Sequence, residues 1–179
     1  MNLRPPDLMT ARLVLRTLLP YEVRALVDCD WQSAGRLAGA RFPVGWPADE
    51  QAREGLVWHL RELERNFTQV AWRVRVAVAR TSGQVIGSVN LKGPPDSDGD
   101  VEIGWGVEPG HRRLGLAFEA ASATLSWAFA QAGVTSVSAT IAAHNVSSQR
   151  LAARLGMRRC SEARDELPLW RTCVQNAHA

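Results

Sequence analysis

The stretch Asp100-Val101-Glu102-Ile103-Gly104-Trp105-Gly106-Val107-Glu108-Pro109-Gly110-His111-Arg112-Arg113-Leu114-Gly115-Leu116-Ala117 decides how the rest of the chain is read. Val101, Ile103, Trp105 and Val107 alternate with other residues, as in a strand with one buried side, and Glu102 then points from the opposite face. The spacing next predicts a long helix over about Arg113 to Ala132, because Leu114, Phe118, Ala121, Leu125 and Phe129 share one stripe and Gly133 can end it. A turn between such a strand and such a helix can hold phosphate. Gly115 and Ala117 allow a phosphate to approach the backbone, the unpaired N–H groups of a helix start supply donors, and Arg112 or Arg113 adds charge. The plainer reading is that Gly115 and Ala117 only permit tight helix packing.

Upstream, Trp72, Val74, Val76 and Val78 alternate with Arg73 and Arg75, and Val85, Gly87, Val89 and Leu91 alternate within Gln84 to Leu91. With Asp100 to Val107 these strands read as an antiparallel meander, the cluster Gly93 to Gly99 forming one turn. Further upstream we expect a strand over Arg12 to Leu18, one or two helical pieces over Tyr21 to Ala38, an irregular aromatic loop over 39–47, and a helix over Asp49 to Asn66. Downstream, a strand over Ser136 to Ala142, a helix over Asn145 to Leu155, and strands near Met157 to Ser161 and Leu167 to Val174 complete the order. The strand–helix–strand unit implies one parallel pair. The fold class expected is therefore α/β in the α+β sense: a mixed, mostly antiparallel sheet flanked by helices and splayed between its central strands. Ligands favour such openings at strand carboxyl ends, which here means the end of the strand at Val107.

The composition narrows the classes. A chain of 179 residues with 46% hydrophobic and 22% charged residues suits a single domain spanning 1–179. No stretch is long and apolar enough to cross a bilayer, and Met1 to Thr10 lacks the apolar run of a secretory signal, so no membrane partner and a cytoplasmic location are expected. Cys29, Cys160 and Cys173 form no CxxC pair, so neither a disulfide framework nor a metal site is expected. The net charge of +3 comes from arginines interleaved with acids, Lys92 being the only lysine, and this argues against a nucleic-acid stripe while suiting an anionic ligand. Neither GxGxxG nor GxxxxGK[ST] occurs, which argues against a nucleotide-dependent enzyme.

Arg112-x-x-Gly115-x-Ala117 resembles the acetyl-CoA pyrophosphate signature of the GNAT superfamily of N-acetyltransferases. Arg12-Leu13-Val14-Leu15-Arg16, Val85-Ile86-Gly87, Glu102-Ile103-Gly104-Trp105 and Asn145-x-x-Ser148-x-x-Leu151-x-x-Arg154-Leu155-Gly156-Met157 look like successive blocks of its RimJ and RimL branch, which acetylates protein N-termini. These blocks follow in order and cover most of the chain. The resemblance implies an acetyl-CoA co-substrate, no metal, an amine attacking the thioester directly in a ternary complex, and relatives that are often homodimers. It also implies that Val107, Arg112, Arg113, Leu114, Gly115, Leu116 and Ala117 bind the coenzyme.

By the same resemblance, Asn145 holds the pantetheine arm and Ser148 lies near the coenzyme sulfur as general acid; the residues alone also allow an N-cap and an N3 hydroxyl. Many members carry a tyrosine four residues after that serine, whereas this chain has Ala152, so water stays open as the proton source. Glu102 is the candidate base or amine-holding carboxylate. Trp46, in a Pro-flanked loop, is the aromatic candidate for substrate contact. Glu119 matches a family position inside the helix and is read as structural; His111 and His144 merely flank the two turns. The acceptor is read first as the α-amino group of a protein or peptide, second as a small amine such as an antibiotic, polyamine or amino acid. A coenzyme-binding module without catalysis is the competing class.

Overall fold

The structure is a computed structural model that describes residues 4–173. Eight strands form one sheet in the order β1-β2-β3-β4-β5-β6-β8-β7. They are β1 Leu8–Met9, β2 Leu13–Thr17, β3 Val74–Ala79, β4 Val85–Leu91, β5 Asp100–Val107, β6 Ser136–Thr140, β7 Arg158–Arg164 and β8 Leu167–Cys173. Every neighbouring pair is antiparallel except β5 with β6. The mixed sheet read from the alternation is therefore present, with its parallel pair where the strand–helix–strand unit predicts it.

Each face has its own core. On one, Ile103 and Val101 of β5 pack with Leu13, Leu15, Leu91 and Val137 beneath Leu116, Ala120, Ala121 and Leu125 of the long helix α4, Leu116–Phe129, and Ala152 of α5, Val146–Arg154. On the other, Val74, Val76 and Val78 of β3 meet α1 (Pro20–Val27), α2 (Trp31–Ala38) and α3 (Glu50–Arg65) through Val23, Ala34, Leu56, Leu60 and Leu63. The period-2 pattern of β3 and the helical spacing of Leu56, Leu60 and Leu63 thus meet on one apolar surface.

Several boundaries move for physical reasons. The segment Tyr21 to Ala38 is two helices: Cys29 sits at φ 59, and Asp30 caps α2 by accepting from the Ser33 N–H. Asp49 is the cap of α3, accepting from the Ala52 N–H, rather than its first residue. Phe67–Trp72 forms 3-10 turns where a strand starting at Ala71 is expected. The short β1 carries too few residues to show an alternation. Helix α4 begins at Leu116 rather than Arg113, so Leu114 leaves the expected apolar stripe and is exposed. Of the last expected strand, Val174 lies outside the described residues.

Candidate active site

Strand β5 is paired on one side along most of its length and on the other only at its start. Towards β4 its register runs from Gly87↔Val107 to Leu91↔Ile103. Towards β6 it pairs only at Asp100, Val101 and Glu102 with Ser136, Val137 and Ser138. Beyond Glu102 the sheet opens. The Lys92 N–H donates to the Glu102 carbonyl and the Glu108 N–H donates to the Ile86 carbonyl, so these two residues turn their backbone polar groups to β4. Main-chain groups alternate along a strand, so Ile103, Trp105 and Val107 direct theirs into the opening. A free strand edge inside a sheet is thus available to pair with an extended ligand, and it begins four residues earlier than the expected junction at Val107.

At the same end of the sheet lies the turn into α4. Arg113 (φ 64) and Gly115 (φ 77) both adopt left-handed conformations, and Gly115 is the N-cap of α4 without any side-chain cap. The N–H groups of Gly115, Leu116, Ala117 and Phe118 make no hydrogen bond among the described residues. Four adjacent donors at the positive end of a 14-residue helix could hold an anion. Arg112 and Arg113 are exposed beside it, and the Arg112 Nε–H donates to the Val107 carbonyl at 3.0 Å, tying the turn to the strand edge. Arg12 fastens the turn from below, donating to the Leu114 carbonyl at 2.9 Å and to Glu119 at 2.6 Å. Glu119 also accepts from the Thr10 hydroxyl and the Arg12 N–H, in keeping with a structural role.

Because β5 and β6 run parallel, the helix that follows β6 starts at this same end. The N-cap of α5 is Asn145, whose Oδ1 accepts from the Ser148 N–H at 3.1 Å and from the Ser147 hydroxyl at 3.0 Å. Its amide group is left to donate elsewhere. Ser148 lies half-buried in the first turn. The two helix starts therefore sit on the two banks of the opening.

Glu102 stands at the vertex, in the last β5–β6 pair, on the face away from α4. Its carboxylate accepts from the Thr140 hydroxyl at 2.7 Å and from Arg164 at 3.1 Å, and pairs with Lys92 at 2.5 Å. Burial alone would raise this carboxyl, but the Lys92 and Thr140 hydrogen bonds and the nearby cations outweigh it and hold it below the usual carboxylate range. Asp100 continues the network, accepting from Ser136 and Ser138, each at 2.5 Å, and from Arg164 at 3.2 Å. The sequence reading missed these partners, although Thr140 lies two residues past Ser138, which pairs with Glu102.

Trp46 is not available as an aromatic wall. It is 3% exposed in the helical core, edge-on to Phe42, with its carbonyl accepting from the Trp31 indole at 2.9 Å. The Pro-flanked loop buries it because an indole is the largest apolar surface the loop can offer to α1, α2 and α3. What the loop presents to the site is its backbone: the Ala48 N–H donates to Oε1 of Glu108 at 3.3 Å. Among the described residues no group of histidine, cysteine and acidic side chains could hold a metal ion, and no helix is long and apolar enough to cross a membrane.

Residues 12–158 match the acetyltransferase (GNAT) domain. The chain is 31% identical over 149 residues to the uncharacterized N-acetyltransferase YjdG of Bacillus subtilis strain 168, with 83% of this chain and 88% of that relative covered. In fold it is similar to the ribosomal-protein-S5-alanine acetyltransferase of Vibrio fischeri, with a TM-score of 0.66 at 15% identity over 98% of this chain and 100% of that one. It is also similar to RimL, a ribosomal-protein α-N-acetyltransferase solved in complex with coenzyme A, with a TM-score of 0.61 at 12% identity over 93% and 97% of the two chains. The domain match spans the free edge of β5, the uncapped start of α4 and the start of α5, and the chain belongs to the GNAT family of acetyltransferases.

Proposed function

We propose that this enzyme transfers the acetyl group of acetyl-CoA to a primary amine, the α-amino group of a protein or peptide N-terminus. The observation that carries the reading is the run of unpaired N–H groups from Gly115 to Phe118 beside the free edge of β5. These donors suit a pyrophosphate, with Arg112 and Arg113 as charge-assisted partners. The main-chain groups of Trp105 and Val107 suit the amides of a pantetheine arm lying as an extra strand, and the Asn145 amide suits its other side. RimL, which shares the fold, was solved with coenzyme A bound. The α-amino choice rests on the RimJ- and RimL-like blocks and on the ribosomal-protein acetyltransferases among the similar folds.

In this reading the amine, after losing one proton to water, attacks the thioester carbon. The C–N bond forms, the C–S bond breaks, the adduct nitrogen gives a second proton to solvent, and the thiolate takes one from water directly or from Ser148, which regains its own from water. The net products are an acetamide, coenzyme A and one proton. Glu102, already held by Lys92, Thr140 and Arg164, serves as the pin at the vertex, since a carboxylate so stabilised accepts a proton poorly.

Ala117→Asp tests the coenzyme site. An acid in the first turn suits the helix dipole, so the fold is kept, while its charge occupies the donors meant for phosphate. Calorimetric titration with coenzyme A should show binding to the wild type and at least a tenfold loss in the variant. Equal binding by both would refute this placement. Thiol release from acetyl-CoA with a panel of peptide and small amines tests the transfer; tight coenzyme binding with no release for any amine would favour a non-catalytic module.

A further inference from the structure

Resting on the acetyltransferase reading, we infer that the acceptor amine enters over Gly106 and that its ammonium group is held by Glu108. Residues 102, 104, 106 and 108 point to the face away from α4, opposite the side chains of Trp105 and Val107, which pack with the α4 core. Along this row the face opens only at its far end: Gly104 and Gly106 present no side chain, the Asn90 side chain lies over Gly104, and Gly106 is exposed, although β5 is the fifth of eight strands. A Cβ built on Gly106 would meet no atom within 4 Å. This is open space over a central strand, next to the free strand edge where the thioester would lie.

One carboxylate of the row is committed and one is not. Glu102 is bonded to Lys92, Thr140 and Arg164, whereas Glu108 has only the 3.3 Å contact from the Ala48 N–H and no ion pair among the described residues. It stays unpaired although Arg112 and Arg113 follow it closely, because Arg112 turns to the Val107 carbonyl instead. The Ala48 N–H, just past the Pro-flanked loop, stands against Glu108 and leaves its carboxylate facing the open floor. Glu108 is thus a positioning residue for a cation, two residues along the strand face from the open floor.

Steady-state thiol release with acetyl-CoA and a peptide amine tests this in the wild type, Glu108→Gln, Glu108→Asp and Gly106→Val. Loss of a charge-assisted contact should raise the KM for the amine about tenfold or more in Glu108→Gln, with a smaller change in kcat and the same affinity for coenzyme A. Glu108→Asp should recover part of the loss. In the wild type the amine KM should rise with salt, and in Glu108→Gln that dependence should flatten. Gly106→Val, whose Cβ meets no atom within 4 Å, should bind coenzyme normally yet lose amine turnover. An unchanged KM and salt response in Glu108→Gln, with the wild type active, overturns this inference alone; a wild type that releases no thiol with any amine overturns the acetyltransferase reading and this inference together.

Discussion

Acidification from pH 7 to pH 5 is expected to cost the folded protein about 2 kcal/mol through one residue, His59. This side chain of α3 is 3% exposed, lies edge-on to Trp58 and leaves its Nδ1 without a hydrogen bond. Burial, with the charges of Arg73 and Lys92 adding to it, lowers its pKa from 6.5 to about 3. Between those two values the unfolded chain binds a proton that the folded one refuses. Stability therefore falls as pH drops through 6.5 and keeps falling until about 3. At roughly 1.4 kcal/mol per pH unit below 6.5, the loss at pH 5 is about 2 kcal/mol, or about 4–8 °C in Tm for a chain of this size. Carboxylates contribute little in this window because their unfolded values lie near 4. Urea denaturation of the wild type and His59→Leu at both pH values measures it, since leucine fills similar space without a proton site. The variant should lose about 2 kcal/mol less than the wild type on going from pH 7 to pH 5. Equal losses would refute the assignment of a buried neutral imidazole.

Three further outcomes follow from the packing. Gly87→Ala should misalign β4 and β5, because the added Cβ would lie 2.3 Å from the Gly106 carbonyl oxygen; reduced thermal stability together with weaker coenzyme binding by calorimetry checks it. Glu119→Gln should destabilise the protein by roughly 1–3 kcal/mol at pH 7, since it replaces an anion that accepts from Thr10 and Arg12. Burial opposes the ionised form, but these bonds win and keep the Glu119 carboxyl below its ordinary value, so its contribution is present at neutral pH and disappears as pH falls through that lowered value. Acid titration of the two proteins by circular dichroism should accordingly show a shallower loss in the variant. Trp46→Ala should cost about 3–5 kcal/mol in urea denaturation, the range for emptying a core aromatic site, without a selective change in the KM for the amine.

Much of the architecture was legible in the chain because it rests on local periodicity. The alternation from Val101 to Val107 needs no partner to declare a strand with one buried face, and the strand–helix–strand order compels a parallel pair. The turn at 112–117 was legible for the same reason, since left-handed residues and a helix start are set by nearby backbone sterics. Environment was not legible. Nothing near Trp46 in sequence says that Phe42 and α2 enclose it, and a Pro-flanked loop reads the same whether its indole faces solvent or core.

The same division runs through the acidic residues of β5. Sequence alone put Glu102 on the face opposite α4, because a strand's period of two allows no other side once Val101 and Ile103 are buried. Only the tertiary structure decided what that carboxylate can do, since Lys92 and Arg164 arrive from 10 residues before and 62 residues after it. Glu108, at the other end of the row, meets only the Ala48 N–H, brought from 60 positions away. Side-chain direction is a local consequence of the backbone, whereas charge and proton affinity depend on neighbours that only the folded chain assembles.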